Sequence, residues 1–115
     1  MGDAPAGSSA TSQLRKGVLG PIVLALLESR ERYGLEIVRE LRALSLIASE
    51  GTVYPLLTRL QDSGAVESAW VISDTERPRR YYRLTAIGRR ELAALRADWA
   101  AFSSAVDSIL HTSEG

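Results

Sequence analysis

The amino-acid sequence predicts an α+β fold, mostly α: a winged helix-turn-helix with a two-stranded wing and a long C-terminal dimerisation helix. Apolar residues recur with helical spacing in three successive segments, two short runs then alternate, and a heptad pattern follows. Three helices followed by a hairpin define a winged helix, whose third helix enters the DNA major groove. Because 115 residues fit one domain, we predict the DNA-binding part over residues 14–85 and the dimerisation helix over residues 86–111.

The composition excludes several classes of protein. Lysine and arginine together number 14, as do aspartate and glutamate, so the formal net charge is +0 and any attraction to nucleic acid must come from local charge. The absence of cysteine excludes disulfide scaffolds and thiol nucleophiles and fits the cytoplasm. No apolar run approaches the roughly 20 residues that span a bilayer. Residues 1–13 are mostly small and polar, which predicts a disordered tail, and residues 112–115 are predicted to fray.

The spacing of apolar residues predicts the first two helices. Helical periodicity runs over residues 14–28 and is dense enough to predict a mostly buried central helix. Gly20-Pro21 interrupts this pattern, either as a kink or as the true start of the helix with the proline in its first turn. Gly34 then separates this helix from a second one, whose apolar residues fall within residues 35–44.

The third helix, predicted between Ser49 and Gly64, is the candidate reader of DNA. Its apolar side chains lie on one stripe, namely Val53, Leu56, Leu57 and Leu60. Ser49 suits an N-cap, and Gly64 suits the left-handed position that ends a helix. Pro55 leaves the start open: in a helix from Glu50 it forfeits a backbone hydrogen bond, whereas in one capped by Thr52 it lies in the first turn.

Two alternating runs predict the hairpin of the wing. Residues 66–72 and 79–84 alternate with period two, and residues 74–78 between them are charged and rich in turn formers. Tyr82 and Leu84 share one face of the second run. Six arginines lie in a stretch that no acidic residue interrupts: Arg77, Arg79, Arg80, Arg83, Arg89 and Arg90. Guanidinium groups there can bind phosphates bidentately, which predicts DNA binding that weakens with salt; alternatively, the cluster only solvates a surface.

The last predicted helix is capped by Thr85 and runs to about His111. Its apolar residues are spaced as a heptad seam, which is typical of a dimer interface: Leu92, Leu95, Trp99, Phe102, Val106 and Ile109. Such a helix is about 39 Å long, whereas a compact chain of this size has a radius of gyration of only about 13 Å. The helix must therefore protrude and needs a partner, which predicts a homodimer.

The candidate DNA contacts lie on the third helix, on the wing and near the start of the first helix. Tyr54, Thr58 and Arg59 are predicted to select the DNA sequence. Alternatively, Tyr54 packs against the domain and Arg59 pairs with an acidic neighbour. Further candidates are Arg15, Lys16, Ser49, Thr52, Pro55, Arg77, Arg79 and Arg80. The basic residues among them are predicted to hold phosphates of double-stranded DNA.

Two aromatic residues of the seam, Trp99 and Phe102, support a second prediction. Their plainer interpretation is that they form part of the dimer core. Large aromatic side chains that face each other across a two-fold axis can also leave a flat apolar slot, which would suit a small aromatic or phenolic effector. The two roles are compatible.

No arrangement of residues predicts catalysis. The sequence contains no phosphate-binding loop, paired-carboxylate site or metal-ligand cluster, and the sole histidine, His111, sits near a frayed end. We therefore expect no enzyme activity, no metal and no cofactor. The main alternative to a DNA-binding regulator is a winged-helix protein-protein interaction module, since the chain is neutral overall.

Four segments resemble the PadR family of bacterial transcriptional regulators: LRKG at residues 14–17, YGLEIVREL at 33–41, GTVYPLLTRLQDSGAVES at 51–68 and RRYYRLTAIGRREL at 79–92. This resemblance, which covers about residues 14–111, implies a homodimer that represses transcription at a palindromic operator and, in many members, is released by phenolic or other aromatic compounds. The single C-terminal helix resembles the short-tailed branch. In drug-responsive relatives of that branch a tryptophan of this helix lines the dimer pore, and Trp99 matches it by position. The sequence departs from the family pattern at Gly20-Pro21 and at Pro78 in the wing tip.

Overall fold

The fold is a winged helix followed by one long helix. The structure, a computed structural model, describes residues 9–112. The helices are α1 (Ser9–Ser29), α2 (Gly34–Ala43), α3 (Val53–Asp62) and α4 (Ala86–Leu110), with a 3-10 turn at Glu50–Thr52. The strands are β1 (Arg32–Tyr33), β2 (Val66–Val71) and β3 (Arg79–Leu84). The α+β, mostly α class and the winged helix-turn-helix that the sequence predicts are confirmed.

Helices α1, α2 and α3 enclose the core together with the base of the sheet. The largest fully buried side chains are Val23, Ile37, Val38, Leu41, Val53, Leu57 and Val66. Because apolar residues recur every three or four positions, each helix presents one apolar side to the others and leaves its polar side in water. Among the described residues, no helix is both long and apolar enough to cross a bilayer.

A three-stranded antiparallel sheet lies beside the helices in the order β1-β3-β2. Strands β2 and β3 form the predicted hairpin, with Val66 opposite Leu84 at its base. Tyr82 and Leu84 are both buried, which confirms that they share one face. The sequence does not predict the third strand, β1, because two residues are too few to show alternation.

Helix α1 differs from the prediction at its start. It begins at Ser9, so residues 9–13, which the composition predicts to be part of a disordered tail, belong to the helix. Residues 1–8 and 113–115 lie outside the described residues. Pro21 lies inside the continuous helix, so the interpretation of Gly20-Pro21 as the true start is wrong. The proline costs one backbone hydrogen bond, but burial of the apolar residues that follow favours the helical path.

The start of α3 follows the second of the two predicted alternatives. Thr52 is its N-cap residue, and Pro55 lies in the first turn, where a missing N–H leaves no intrahelical bond unmade. Ser49 instead precedes the 3-10 turn and makes no capping hydrogen bond through its side chain, so the predicted Ser49 cap of this helix is wrong. Gly64 follows α3 with a φ of 86°, the left-handed conformation that the sequence predicts there.

Helix α4 extends well beyond the rest of the domain. The Thr85 hydroxyl caps it by accepting a hydrogen bond from the Gly88 N–H at 3.0 Å, as the sequence predicts. Its 25 residues span about 38 Å. The chain measures 63 × 36 × 21 Å and has a radius of gyration of 16.8 Å, well above the roughly 13 Å of a compact chain of this length. The predicted protrusion of the last helix is therefore confirmed.

Candidate nucleic-acid interface

The outward side of α3 carries the side chains predicted to contact DNA. Tyr54, Pro55, Thr58 and Arg59 are exposed, whereas Val53, Leu56 and Leu57 of the predicted apolar stripe are buried. Helical spacing causes this division, because the two sets fall on opposite sides of one helix. A helix that reads the major groove requires such a side, polar and open to solvent along its length.

Tyr54 is held against the start of α2 while part of its ring stays in solvent. The residue is 44% exposed. A Cβ atom added at Gly34 would lie only 2.7 Å from Cε1 of Tyr54, so this close contact requires glycine. The partial burial raises the pKa of the Tyr54 hydroxyl. One side of the ring therefore packs on the domain, as one of the two interpretations of Tyr54 states, and the remainder is accessible to a partner.

The charges around α3 leave one cation without a partner. The carboxylate of Glu50 lies 3.5 Å from the guanidinium of Arg42. Within residues 9–112, Arg59 has no carboxylate at ion-pair distance, so the interpretation that it pairs with an acidic neighbour finds no support there. The hydroxyls of Thr52 and Thr58 each donate to a backbone carbonyl earlier in the chain at 3.1 Å. They therefore offer acceptor lone pairs to an external donor.

The arginine-rich stretch is divided between the two faces of the sheet, because neighbouring strand residues point to opposite faces. On the face away from α3, the guanidinium of Arg79 lies 4.4 Å from the centre of the Tyr33 ring and 3.8 Å from the carboxylate of Glu76. Arg83 lies on the same face, and its Nε is 2.7 Å from Oε2 of Glu67. Although no acidic residue interrupts the stretch in sequence, these two arginines have acidic partners from outside it.

Arg80 lies on the opposite face, beside the last turn of α3. Its Nε donates to the Ser68 hydroxyl oxygen at 2.9 Å, and one of its terminal nitrogens donates to Oε1 of Gln61 at 3.2 Å. The Ser68 hydroxyl in turn donates to the same Gln61 oxygen at 3.1 Å. The guanidinium also lies 5.7 Å from the centre of the Tyr82 ring. Of the adjacent pair Arg79 and Arg80, only Arg80 is therefore on the side of the sheet that α3 occupies.

The other arginines of the stretch lie at the wing tip and on α4. Arg77 is exposed on the loop between β2 and β3, where the Ser73 hydroxyl accepts hydrogen bonds from two backbone N–H groups at 3.1 and 3.0 Å. Arg89 and Arg90 are exposed on the first turns of α4. The arginines that lie close together in the sequence thus do not share one surface of the molecule.

Arg15 and Lys16 lie on α1, about one turn before Gly20, which is next to Leu56 of α3. Arg15 is half-buried and Lys16 is exposed. Neither forms an ion pair within the part of the chain that the structure describes. Their contact with phosphates stays a prediction.

The heptad seam of α4 changes from buried to exposed along the helix. Leu92 is 2% exposed, and Leu95 and Val106 are half-buried. Trp99 and Phe102 are 52% and 61% exposed, and their ring centres are 6.2 Å apart, so they form one aromatic surface. Because Leu92 has almost no surface left for a partner, its predicted place in a dimer interface is wrong, and it belongs to the core of its own domain.

Sequence analysis misses two groups of residues that hold these elements in place. Arg32 is buried, with its Nε 2.5 Å from the Glu40 carboxylate, and it also donates to two groups in the last turn of α1. Gln61 and Ser68, the partners of Arg80, form the second group. No local pattern marks either group, since the partners lie in different elements. Only the strand register could have indicated that Ser68 and Arg80 share a face.

Comparisons with known proteins agree with this architecture. The model of the transcriptional regulator PadR-like family matches residues 23–94. A PadR family transcriptional regulator from Eggerthella lenta is similar at 34% identity and a TM-score of 0.79, over 90% of this chain and 91% of that chain. A PadR-like transcription factor from Bacteroides fragilis is 38% identical with a TM-score of 0.72, over 89% and 99% of the two chains. PadR of Bacillus subtilis in complex with operator DNA is 30% identical with a TM-score of 0.61, over 68% of this chain and 46% of that one.

Proposed function

The chain belongs to the PadR-like family of transcriptional regulators, and from this premise we propose that it represses transcription as a homodimer bound to a palindromic operator and responds to a small aromatic or phenolic effector. One observation carries the DNA-binding part of this proposal. The exposed side of α3 presents Tyr54, Thr58 and the unpaired Arg59, and Arg80 of the wing lies at the end of the same helix. The similarity to a PadR solved with operator DNA supports the same surface.

In this proposal the contacts divide into two kinds. Residues of α3 enter the major groove, where Arg59 can donate two hydrogen bonds to a guanine and Thr58 can meet a base edge or a thymine methyl group. Basic residues outside α3 hold phosphates and contribute affinity without sequence preference. The whole chain has a formal net charge of +0, so these local cations must supply the attraction.

The proposed dimer forms through the outer part of α4. Its seam exposes Trp99 and Phe102, a surface that a monomer would leave in water at a cost in free energy. A two-fold axis there would set the two copies of α3 about one turn of DNA apart, about 34 Å. An effector bound between the aromatic residues of the two copies would tilt the helices and change this spacing, which would release the operator.

The DNA-binding part is tested by titrating the protein into labelled duplex taken from upstream of its own gene and measuring fluorescence anisotropy. We expect a sequence-specific complex that weakens steeply with salt. Arg59→Ala should weaken it by roughly 5- to 150-fold, the range for losing one bidentate base contact. Arg83→Ala is the matched control, because it removes the same charge from the face away from α3 and should change affinity far less.

The opposite outcome also has a clear meaning. If the wild-type protein binds its upstream DNA no better than random duplex, the regulator proposal is contradicted. A protein partner recovered under the same conditions would then support the alternative, a protein-protein interaction module.

The effector site is tested by fluorescence, because the chain has only two tryptophans. In the Trp70→Phe variant Trp99 is the sole tryptophan, and a phenolic or planar aromatic ligand should quench its emission and release the labelled operator. The Trp99→Phe variant, which keeps Trp70 on the wing, should not respond. If no such compound quenches Trp99, the aromatic pair serves the dimer core only.

A further inference from the structure

We propose that Gln61 and Ser68 are positioning residues that hold the guanidinium of Arg80 in place for one phosphate of the DNA, next to the bases that α3 contacts. This inference rests on the proposed DNA binding and adds a role for two residues that sequence analysis does not single out. It also separates Arg80 from Arg79, which the sequence predicts to act in the same way.

The register of the wing brings the three side chains together. Ser68 lies opposite Tyr82 and Trp70 lies opposite Arg80, so Ser68 and Arg80 are diagonal neighbours on one face of the sheet. Gln61 comes from the last turn of α3, which ends at Asp62 against this face. The network therefore joins both strands of the wing to the end of the helix proposed to read DNA.

The hydrogen bonds orient Arg80 without using all its donors. A guanidinium has five N–H donors, and this one uses its Nε toward the Ser68 hydroxyl at 2.9 Å and one terminal nitrogen toward Gln61 at 3.2 Å. The Ser68 hydroxyl donates to the same Gln61 oxygen at 3.1 Å and so closes a three-membered network. The second terminal nitrogen makes no hydrogen bond within the described residues, and the side chain is exposed.

The chemistry of the partners distinguishes Arg80 from its neighbours. Arg83 and Arg79 both lie near carboxylates, at 2.7 Å from Glu67 and 3.8 Å from Glu76. Arg80 instead has two neutral partners and, within residues 9–112, no carboxylate at ion-pair distance.

Neutral partners have a physical consequence. A carboxylate in place of the Gln61 amide would make a stronger structural tie, because charge-assisted hydrogen bonds are about twice as strong as neutral ones. It would also cancel the charge of the guanidinium. An amide and a hydroxyl fix the orientation of the group and leave its positive charge available to an external anion, as a phosphate contact requires.

The gain from this arrangement is pre-organisation. A free arginine loses side-chain freedom when it binds a phosphate, and the network removes part of that cost before DNA arrives. Since the same network attaches the wing to α3, the phosphate contact also fixes the position of the reading helix along the groove.

The experiment compares four single variants and one double variant of the full chain in anisotropy titrations at several salt concentrations. Arg80→Ala should lower the slope of log affinity against log salt by about 0.9, the value for one lost phosphate contact. Gln61→Met and Ser68→Ala should each weaken binding by about two- to tenfold, the range for one side chain that must be immobilised on binding, and should leave the slope unchanged. Ser68→Thr, which keeps the hydroxyl, should bind like the wild type. In the Arg80→Ala background, Gln61→Met should have no further effect.

Two results would overturn the inference while the proposed function stands. Either Gln61→Met and Ser68→Ala bind DNA with wild-type affinity, or Gln61→Met weakens binding equally whether or not Arg80 is present. In both cases the network only ties the wing to α3. Failure of the proposed function looks different, because the wild-type protein itself would then form no sequence-specific complex. Circular dichroism of each variant at the titration temperature shows that a loss of binding does not reflect unfolding.

Discussion

The inner and outer parts of α4 carry one continuous heptad seam but meet opposite surroundings. In the inner part, Leu92 is buried in the domain and Gly88 touches the backbone that follows α3. In the outer part, Trp99 and Phe102 are more than half exposed. The difference teaches that a heptad pattern indicates a buried seam without indicating which partner buries it. The domain itself covers the inner part, and in our proposal a second copy of the chain covers the outer part.

The inner part of α4 is joined closely to the end of α3. The Thr85 N–H donates to the Ala65 carbonyl oxygen at 3.1 Å, and the Thr85 hydroxyl lies 2.6 Å from the Gly64 carbonyl oxygen. A Cβ atom added at Gly88 would lie 2.1 Å from the Ala65 oxygen, closer than real Cβ atoms approach. A tilt of α4 therefore moves the backbone next to α3, and effector control of the proposed kind needs such a link.

The largest effect expected from breaking this comparison comes from Leu92→Ala. The side chain is 2% exposed, so its loss leaves a cavity and should lower the free energy of unfolding by about 2–5 kcal/mol. Urea titrations at equal protein concentration measure this change. A loss below about 1 kcal/mol would mean that the inner seam is not part of the core.

A somewhat smaller effect is expected from Gly88→Ala. The new methyl group must displace the Ala65 carbonyl, and such overpacking costs about 1–3 kcal/mol of stability. Gly17→Ala is the matched control in another helix, because nothing lies within 4 Å of the added carbon. The control should gain up to about 1 kcal/mol through helix propensity. Equal effects at the two glycines would contradict the tight joint between α4 and α3.

Phe102→Ala should change association rather than folding of the domain. In the proposed dimer this side chain lies in the seam, so its truncation should raise the dimer dissociation constant roughly tenfold or more. Sedimentation equilibrium measures the constant. Leu110→Ala is the control, because Leu110 is also exposed but lies off the seam. If both variants associate equally well, the outer seam is not the dimer interface.

The smallest effect concerns the ion pair where the inner part of α4 ends. Arg96 donates two hydrogen bonds to Glu28 of α1, at 3.0 and 2.8 Å, and these lower the pKa of the Glu28 carboxyl. Because the folded pKa lies below the unfolded one, the contribution to stability is present above the unfolded pKa of about 4.3 and is lost as pH falls through the folded pKa.

Both groups of this pair are exposed, so Glu28→Gln should destabilise only slightly at neutral pH. The difference between Glu28→Gln and the wild type should disappear in strongly acidic solution. Urea titrations across this pH range make the comparison. A difference that stays constant with pH would show that the ionised carboxylate is not responsible.

Much of the fold could be predicted because its signals are local. The apolar stripe at residues 53–60, the cap at Thr85 and the left-handed Gly64 each depend on a few neighbouring residues. The misses have the opposite character. Strand β1 exists because the backbone of two residues reaches β3, and the burial of Arg32 depends on Glu40 from the next helix. Neither contact leaves a periodic pattern in the sequence.

The candidate site shows the same limit more sharply. Alternation along β3 indicates that Arg79 and Arg80 point to opposite faces, but not which face meets α3. The structure places Arg80 with Gln61 and Ser68, and Arg79 with Tyr33 and Glu76. A count of arginines along the chain therefore predicts basic character without predicting which cations keep their charge available.

By itself the sequence determined the order of the elements, the polar side of α3 and the heptad seam of α4, because periodicity and capping act over one or two turns. Only the tertiary structure decided which arginines are paired with acids and where along α4 the seam leaves the core. These outcomes depend on contacts between residues far apart in the chain, such as Arg80 with Gln61 and Arg96 with Glu28, and no local pattern encodes such distances.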